Sequence, residues 1–478
     1  MLVRGDLVHC PQLGKIHILR DYLIAVDDLG YIIHCEFAQS PVSTELLRIH
    51  AALLLDLPLG TFLLPPFVDL HLHAPQFLYQ GTGLDLPLLE WLDKYAFQAE
   101  EKLDQDIILA RKVYRRLGQR LIQKGTGSVC LFGTLKTETN LILAEEMQSA
   151  GLRAFVGKVS MDISSRPSYV EASSSAALAA VRDFGARLVD QSSASSGMAK
   201  SRPPLVHPVI TPRFVPTCSD ELLHGLGTLA EETGWRIQSH MAESSDQVEW
   251  VKKERGEDDF CMFEKATHCT YLSTSSPCPS HPTASSFDPF THLQALGTAI
   301  AHCPLSNIYF SGSQAFCLRE ALDAQIKVGL GTDIAGGYSL DIMSAMRTAV
   351  AVSRIREGER QKAKAEELRS SNQDGKSLAI DWKESLFLAT LGGARALGIK
   401  SGTFSVGAPF DAQQIRLFDS DTGLGVGVLD FFELEAESKE KSASTESTVC
   451  ISEEMIEKWW CNGDERNRID MWIQGRRV

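Results

Sequence analysis

The sequence predicts an α/β protein: a (β/α)8 barrel of the TIM type with a small β-sandwich built from both chain ends. Three observations lead there. Through the middle of the chain short apolar segments alternate with longer helical stretches, the pattern of repeated β/α units and a parallel sheet. Eight such segments can be counted, the number that closes a barrel. The two ends instead carry short apolar runs separated by turn signals. In a chain of 478 residues this assigns 65–400 to the barrel, and 1–64 with 401–478 to the second unit.

The first sixty residues support this reading through Ile16 to Leu19, Tyr22 to Val26 and Tyr31 to Ile33, the last two split by Asp27-Asp28-Leu29-Gly30. At the far end Phe410 to Leu417 and Met471 to Ile473 are strand-like, with Gly475 in a turn. The expected barrel strands are Pro66 to His71, Ser128 to Phe132, Ala154 to Val159, Val206 to Thr211 and Trp235 to His240. A weaker sixth ends near His268, followed by Thr298 to His302 and Ile326 to Gly331. Asp220 is placed to cap a helix over Glu221 to Thr233, with Gly234 as its stop. Ser164 to Pro204, rich in Ser and Ala, and the charged run Glu433 to Thr448 have the composition of solvated loops, although Tyr169 to Leu188 can hold a helix.

Composition excludes several classes. Apolar residues make up 44% and charged residues 23%, which is ordinary for a globular protein. A net charge of −14 argues against a nucleic-acid partner. The 11 cysteines include no Cys-x-x-Cys pair, so free thiols and a cytoplasmic location are expected. Ala51 to Val68 is broken by Pro58, Gly60, Pro65 and Pro66 and reads as loop and strand, not a membrane span.

The chemistry sits at predicted strand ends, where barrel active sites lie. His71 and His73 are two residues apart at the end of the first strand, so both imidazoles share one face. His240 ends the fifth strand and suits a third ligand; Glu243 lies three residues on and suits a proton carrier. Asp333 follows the glycine-lined eighth strand. Three histidines and a carboxylate form a nitrogen and oxygen donor set suited to zinc with a position left for water. A metal lowers the pKa of a bound water and a nearby carboxylate moves its proton, which is the chemistry of hydrolysis at an amide, amidine or aryl-amine carbon. Strand four ends Thr211-Pro212-Arg213-Phe214 without a lysine to bridge a second metal, so one ion is expected. Arg213 can hydrogen-bond an acceptor edge and Phe214 can stack on a planar ring.

These stretches resemble the amidohydrolase superfamily over nearly the whole chain. The resemblance rests on Phe67-Val68-Asp69-Leu70-His71-Leu72-His73-Ala74-Pro75-Gln76, Gln238-Ser239-His240 with Glu243, Ala301-His302-Cys303-Pro304 with Ser306-Asn307, and Gly329-Leu330-Gly331-Thr332-Asp333. Two further runs, Asp85-Leu86-Pro87-Leu88-Leu89-Glu90-Trp91-Leu92 and Ile210-Thr211-Pro212-Arg213-Phe214, are similar to its guanine-deaminating branch. The resemblance implies a homodimeric enzyme holding one zinc per chain through His71, His73, His240 and Asp333, and hydrolysing guanine to xanthine and ammonia. It implies proton transfer by Glu243 and Asp333, a contact from His268 to the water, and purine binding by Gln76, Arg213 and Phe214. The sequence departs from the family pattern at Pro65-Pro66, in the length of the Ser/Ala-rich segment, and before His268, where the strand that should carry it is cut short. Two other readings therefore stay open: a related mononuclear enzyme acting on another aminated heterocycle, and a homologue impaired by the shortened segment.

Overall fold

A computed structural model describes residues 1–194, 202–256, 262, 271–274, 289–310, 315–367, 376–434 and 450–478. Its centre is a parallel α/β barrel laid down in two arcs. The first runs in space from Arg236–Ile237 through Val206–Pro212, Arg153–Gly157 and Thr126–Phe132 to Phe67–His73. The second runs His240–Met241, Tyr271–Thr274, Ala299–His302, Lys327–Leu330. The fifth strand is thus broken at Gln238-Ser239. Both halves stay on strand four, through Gln238 N to Ile210 O at 2.9 Å and His240 N to Arg213 O at 3.2 Å.

The sixth strand corrects the expectation of one ending near His268. It is Tyr271–Thr274, which follows that histidine in the chain. His268 itself lies outside the described residues.

Outside the barrel the helices follow their apolar period. In Ile107–Gln123 the buried residues Ala110, Val113, Tyr114, Leu117 and Leu121 recur at helical spacing, and the Asp106 carboxylate caps Ile108 and Leu109. Helix Asp220–Thr233 forms as expected and Gly234 ends it, but Ser219, not Asp220, accepts the capping bond from Leu222. The Ser/Ala-rich stretch holds a helix, Ser174–Ala194, whereas most of the charged run, 435–449, lies outside the described residues. No helix among the described residues is long and apolar enough to cross a membrane. Cys10, Cys35, Cys130, Cys218, Cys303, Cys450 and Cys461 are free thiols, while Cys317 is disulfide-bonded, contrary to the all-thiol expectation.

The chain ends build one mixed eight-stranded sheet. Thr61–Leu64 sits at its middle, with Leu2–Gln12 on one side and Ala412–Arg416 on the other. A buried ion pair fastens this region to the barrel. Arg153, at the start of the third barrel strand, donates to the Asp411 carboxylate at 2.5 Å and to Gln474 Oε1 at 3.0 Å. Ser401 Oγ and Gln474 N also donate to Asp411.

The seam between the eighth and first barrel strands is closed by Asp69. Its carboxylate is fully buried and accepts from Thr332 Oγ1 at 2.5 Å, Thr332 N at 3.0 Å and His71 N at 3.2 Å. Backbone bonds continue the seam, with Asp333 N to His71 O at 2.9 Å and His73 N to Ile334 O at 3.0 Å.

Two stability predictions follow from these buried charges. Asp411→Ala strands a buried guanidinium and is expected to cost about 3–5 kcal/mol of unfolding free energy in a denaturant titration; a loss under about 1 kcal/mol would count against the pair as a fastening. Burial raises the Asp69 carboxyl to about 6, although hydrogen bonds from Thr332 and His71 pull the other way. That lies above the unfolded value of about 4. Its stabilising contribution is therefore complete below about pH 4 and lost as pH rises through about 6. In chelator-treated protein, Asp69→Asn, which keeps both backbone bonds and can donate to Thr332 Oγ1, should flatten stability against pH across that window; an unchanged slope would assign the dependence elsewhere.

Candidate active site

The C-terminal ends of the barrel strands converge on four buried side chains. His71 and His73 point from the first strand to one face, their ring centroids 5.0 Å apart. His240, from the second half of the broken fifth strand, lies 4.8 Å from the His71 ring and 4.9 Å from the His73 ring. Asp333 is delivered by the eighth strand, which must pass close to the first. A Cβ on Gly331 would come within 2.7 Å of Cys303 Sγ and 2.9 Å of His71 Cβ, so only glycine permits that approach. Asp333 and Ala242 both adopt φ near +49°, a conformation that non-glycine residues hold only where the surroundings enforce it.

Asp333 Oδ1 lies 3.1 Å from His71 Nε2 and 3.7 Å from His73 Nε2, and its Oδ2 accepts from Ser306 Oγ at 2.6 Å. The Nε2 atoms of His73 and His240 face each other at 2.9 Å. The ligand nitrogens of His71, His73 and His240 all lie within 4.8 Å of one another, so the three can hold one metal ion. The fit is chemical as well as geometric. The Nδ1 of His240 is 2.7 Å from the Arg213 carbonyl oxygen, which fixes the proton there and leaves Nε2 with its lone pair. His71 Nε2 is buried and faces Asp333 Oδ1. Burial and neighbouring His71 push His240 down to about 3, and burial with neighbouring His240 pushes His73 well below its ordinary value. Both rings are thus neutral, the form that binds metal.

Glu243 and Asp333 are driven apart in acidity. Burial, then the Asp333 charge, raises the Glu243 carboxyl to about 8. Asp333 falls below the usual carboxylate value: burial opposes its charge, but His71 and the Ser306 hydroxyl, among others, outweigh that. Two carboxyl groups held at different acidities in one pocket can divide acid and base work between them.

Glu243 and the three expected substrate-binding residues line one cavity, whereas His268 lies outside the described residues. The cavity is lined by His73, His240, Glu243 and Asp333 together with Gln76, Arg213 and Phe214, and Leu88, Trp91, Leu92, Phe310 and Gly336 complete it. The Phe214 ring packs edge-on to His240 at 6.5 Å between centroids. Trp91 and Phe310 stack obliquely at 5.1 Å and form an apolar wall.

Arg213 is buried and held by a carboxylate. Both its terminal nitrogens donate to Glu100, at 2.6 and 3.0 Å, and Gln76 Nε2 donates to the same carboxylate at 3.2 Å. Glu100 and Phe310 are site residues that sequence reasoning did not name, and Ser306 was given no role there. Only the rule that a buried guanidinium needs a carboxylate pointed towards the first. Ser306 lay inside the family-like run after His302.

The comparisons agree with this geometry. The description Amidohydrolase family matches residues 62–467. The chain is 34% identical to a mouse (Mus musculus) guanine deaminase, covering 100% of this chain and 96% of the relative. It is 32% identical to the guanine deaminase of Dictyostelium discoideum, covering 100% and 98%. A crystal structure of guanine deaminase from C. acetobutylicum with guanine bound in its active site superposes with a TM-score of 0.80 at 27% identity, covering 100% of this chain and 99% of that one. Sequence, barrel and site together place the chain in the amidohydrolase family, among the guanine deaminases.

Proposed function

We propose that this protein is a zinc-dependent guanine deaminase, converting guanine and water to xanthine and ammonia. The observation that carries the reading is the cavity that His73, His240, Glu243 and Asp333 line together with Gln76, Arg213 and Phe214, with His71 clustered beside the other two histidines. In it, His71, His73, His240 and Asp333 would hold one zinc ion, a donor set that ion favours. When bound, zinc supplies a Lewis-acidic centre that makes water acidic enough to attack near neutral pH.

The residues of the chain do the rest. Arg213 and Gln76 offer N–H donors to the acceptor edge of the purine, and Phe214 offers an apolar face to the ring. Glu243, at the cavity wall beside Asp333, takes a proton from the attacking water and passes it to the ring nitrogen beside the amino-bearing carbon. As the carbon–nitrogen bond breaks, Asp333 and Glu243 relay the second proton to the departing amine, so that ammonia leaves and the ring keeps the new oxygen. The closed, apolar wall of Trp91, Leu92 and Phe310 limits bulk water around these transfers. The division into a catalytic barrel over 65–400 and a unit from both ends belongs to the same reading, supported by the Arg153–Asp411 fastening between them. Its homodimeric and cytoplasmic parts rest on the family resemblance.

Purified, zinc-loaded protein is expected to consume guanine and release xanthine, followed spectrophotometrically. Glu243→Gln should lower kcat by about 100- to 10,000-fold while zinc stays bound. Loss of turnover in the parent protein with zinc present would favour another aminated heterocycle or an impaired enzyme. Elemental analysis should find about one zinc per chain, removed by chelator together with activity and restored on reloading. Retained zinc in His240→Ala would exclude that residue as a ligand.

A further inference from the structure

Glu100 sits in helix Phe97–Gln105, outside the ring of strand ends, and is fully buried. Its Oε2 accepts from Arg213 Nη1 at 2.6 Å, and its Oε1 accepts from Arg213 Nη2 at 3.0 Å and Gln76 Nε2 at 3.2 Å. One carboxylate thus grips both polar residues of the cavity's binding side. The guanidinium is held from its face as well, 4.7 Å from the centre of the Phe97 ring.

The grip sets the polarity of that side. A guanidinium has only donors, and the two spent on Glu100 leave others for the cavity. The Gln76 amide has an acceptor, but its Oε1 is occupied by Ala335 N at 3.0 Å. Its Nε2 is turned to Glu100, with one N–H remaining. The amide cannot flip without setting its oxygen against the carboxylate and its nitrogen against a donor.

We infer that Glu100 is a positioning residue that locks Arg213 and Gln76 into a donor-only edge, selecting purines that present an oxo group there over purines that present an amino group. This rests on the guanine reading above and deepens it. A ligand with acceptors on that edge finds its partners already oriented. An amino group on the same edge meets donors on both sides and leaves buried N–H groups unpaired, a large penalty in a closed site. Glu100→Gln removes the charge and replaces one acceptor with a donor facing Arg213 or Gln76, so the edge loses its single polarity.

The test compares equilibrium binding of hypoxanthine and adenine by calorimetry on zinc-loaded protein; neither carries the amino group that guanine loses. The parent protein should favour hypoxanthine. Glu100→Gln should weaken hypoxanthine by about tenfold or more and adenine by much less, so that the ratio collapses while zinc content holds. Should that variant fail to fold, Glu100→Asp keeps the charge but shortens its reach, and is expected to move the ratio in the same direction. Equal weakening of both ligands, or an unchanged ratio in the variants, overturns the inference. A parent protein that deaminates guanine yet shows no preference also overturns it. A parent that neither deaminates guanine nor binds hypoxanthine overturns the guanine reading itself, and this inference with it.

Discussion

The Asp69 carboxylate closes the barrel where its last strand meets its first. Three donors from two strands, 263 positions apart in the Thr332 case, converge on one buried group. Everything at the mouth depends on that closure. Asp333 follows Thr332 by one residue, and His71 follows Asp69 by two, so the carboxylate and the first histidine are set by the same bonds. A buried carboxylate in this role needs every one of its hydrogen bonds, because an unmet acceptor in a dry interior costs more than the bond contributes. Gly331 adds a steric condition to the electrostatic one, since the two strands touch where any side chain would intervene.

Electrostatics then divides the labour. His73 and His240 are buried beside other cationic or ionisable groups, which keeps these two rings neutral and ready to share a cation. The two carboxyl groups are separated by environment: one lies against His71 and a serine hydroxyl, the other in a pocket where its charge is penalised. The polar grip of Glu100 on Arg213 adjoins the histidines through the Arg213 carbonyl, which lies 2.7 Å from His240 Nδ1. The reacting groups hang from strands one, five and eight, and the recognising groups from the end of strand four, the helical turn Ala74–Tyr79 that follows strand one, and helix Phe97–Gln105.

The metal-site residues were readable because a strand end is a place that sequence can locate. A His-x-His after an apolar run, a histidine ending another, and Gly-x-Gly-Thr-Asp each carry position as well as chemistry. Glu100 had no such marker. It sits on a helix whose neighbours Glu101, Lys102 and Asp104 make it look like part of a solvated face, and its partner is 113 residues away. The sixth strand escaped for another reason. Tyr271-Leu272-Ser273-Thr274 has only two apolar residues, and its identity comes from the strands on either side, not from its own pattern. Ser219 displaced Asp220 as a cap by one residue, a shift that helix propensity does not resolve.

The interleaving of the chain ends bears on how the molecule is made. Strand Thr61–Leu64 is flanked by a segment from the first dozen residues and by one beyond residue 411. Until synthesis reaches that later segment, the N-terminal strands present an open edge with unmet backbone groups, next to the Pro65–Pro66 entry to the barrel. Gln413 Nε2 finally bonds the Pro65 carbonyl, so the last part of the chain seals the entry to the first barrel strand. Maturation on the ribosome therefore has a late checkpoint: a nascent chain released early keeps a sticky border that a chaperone, or another unfinished copy, can occupy.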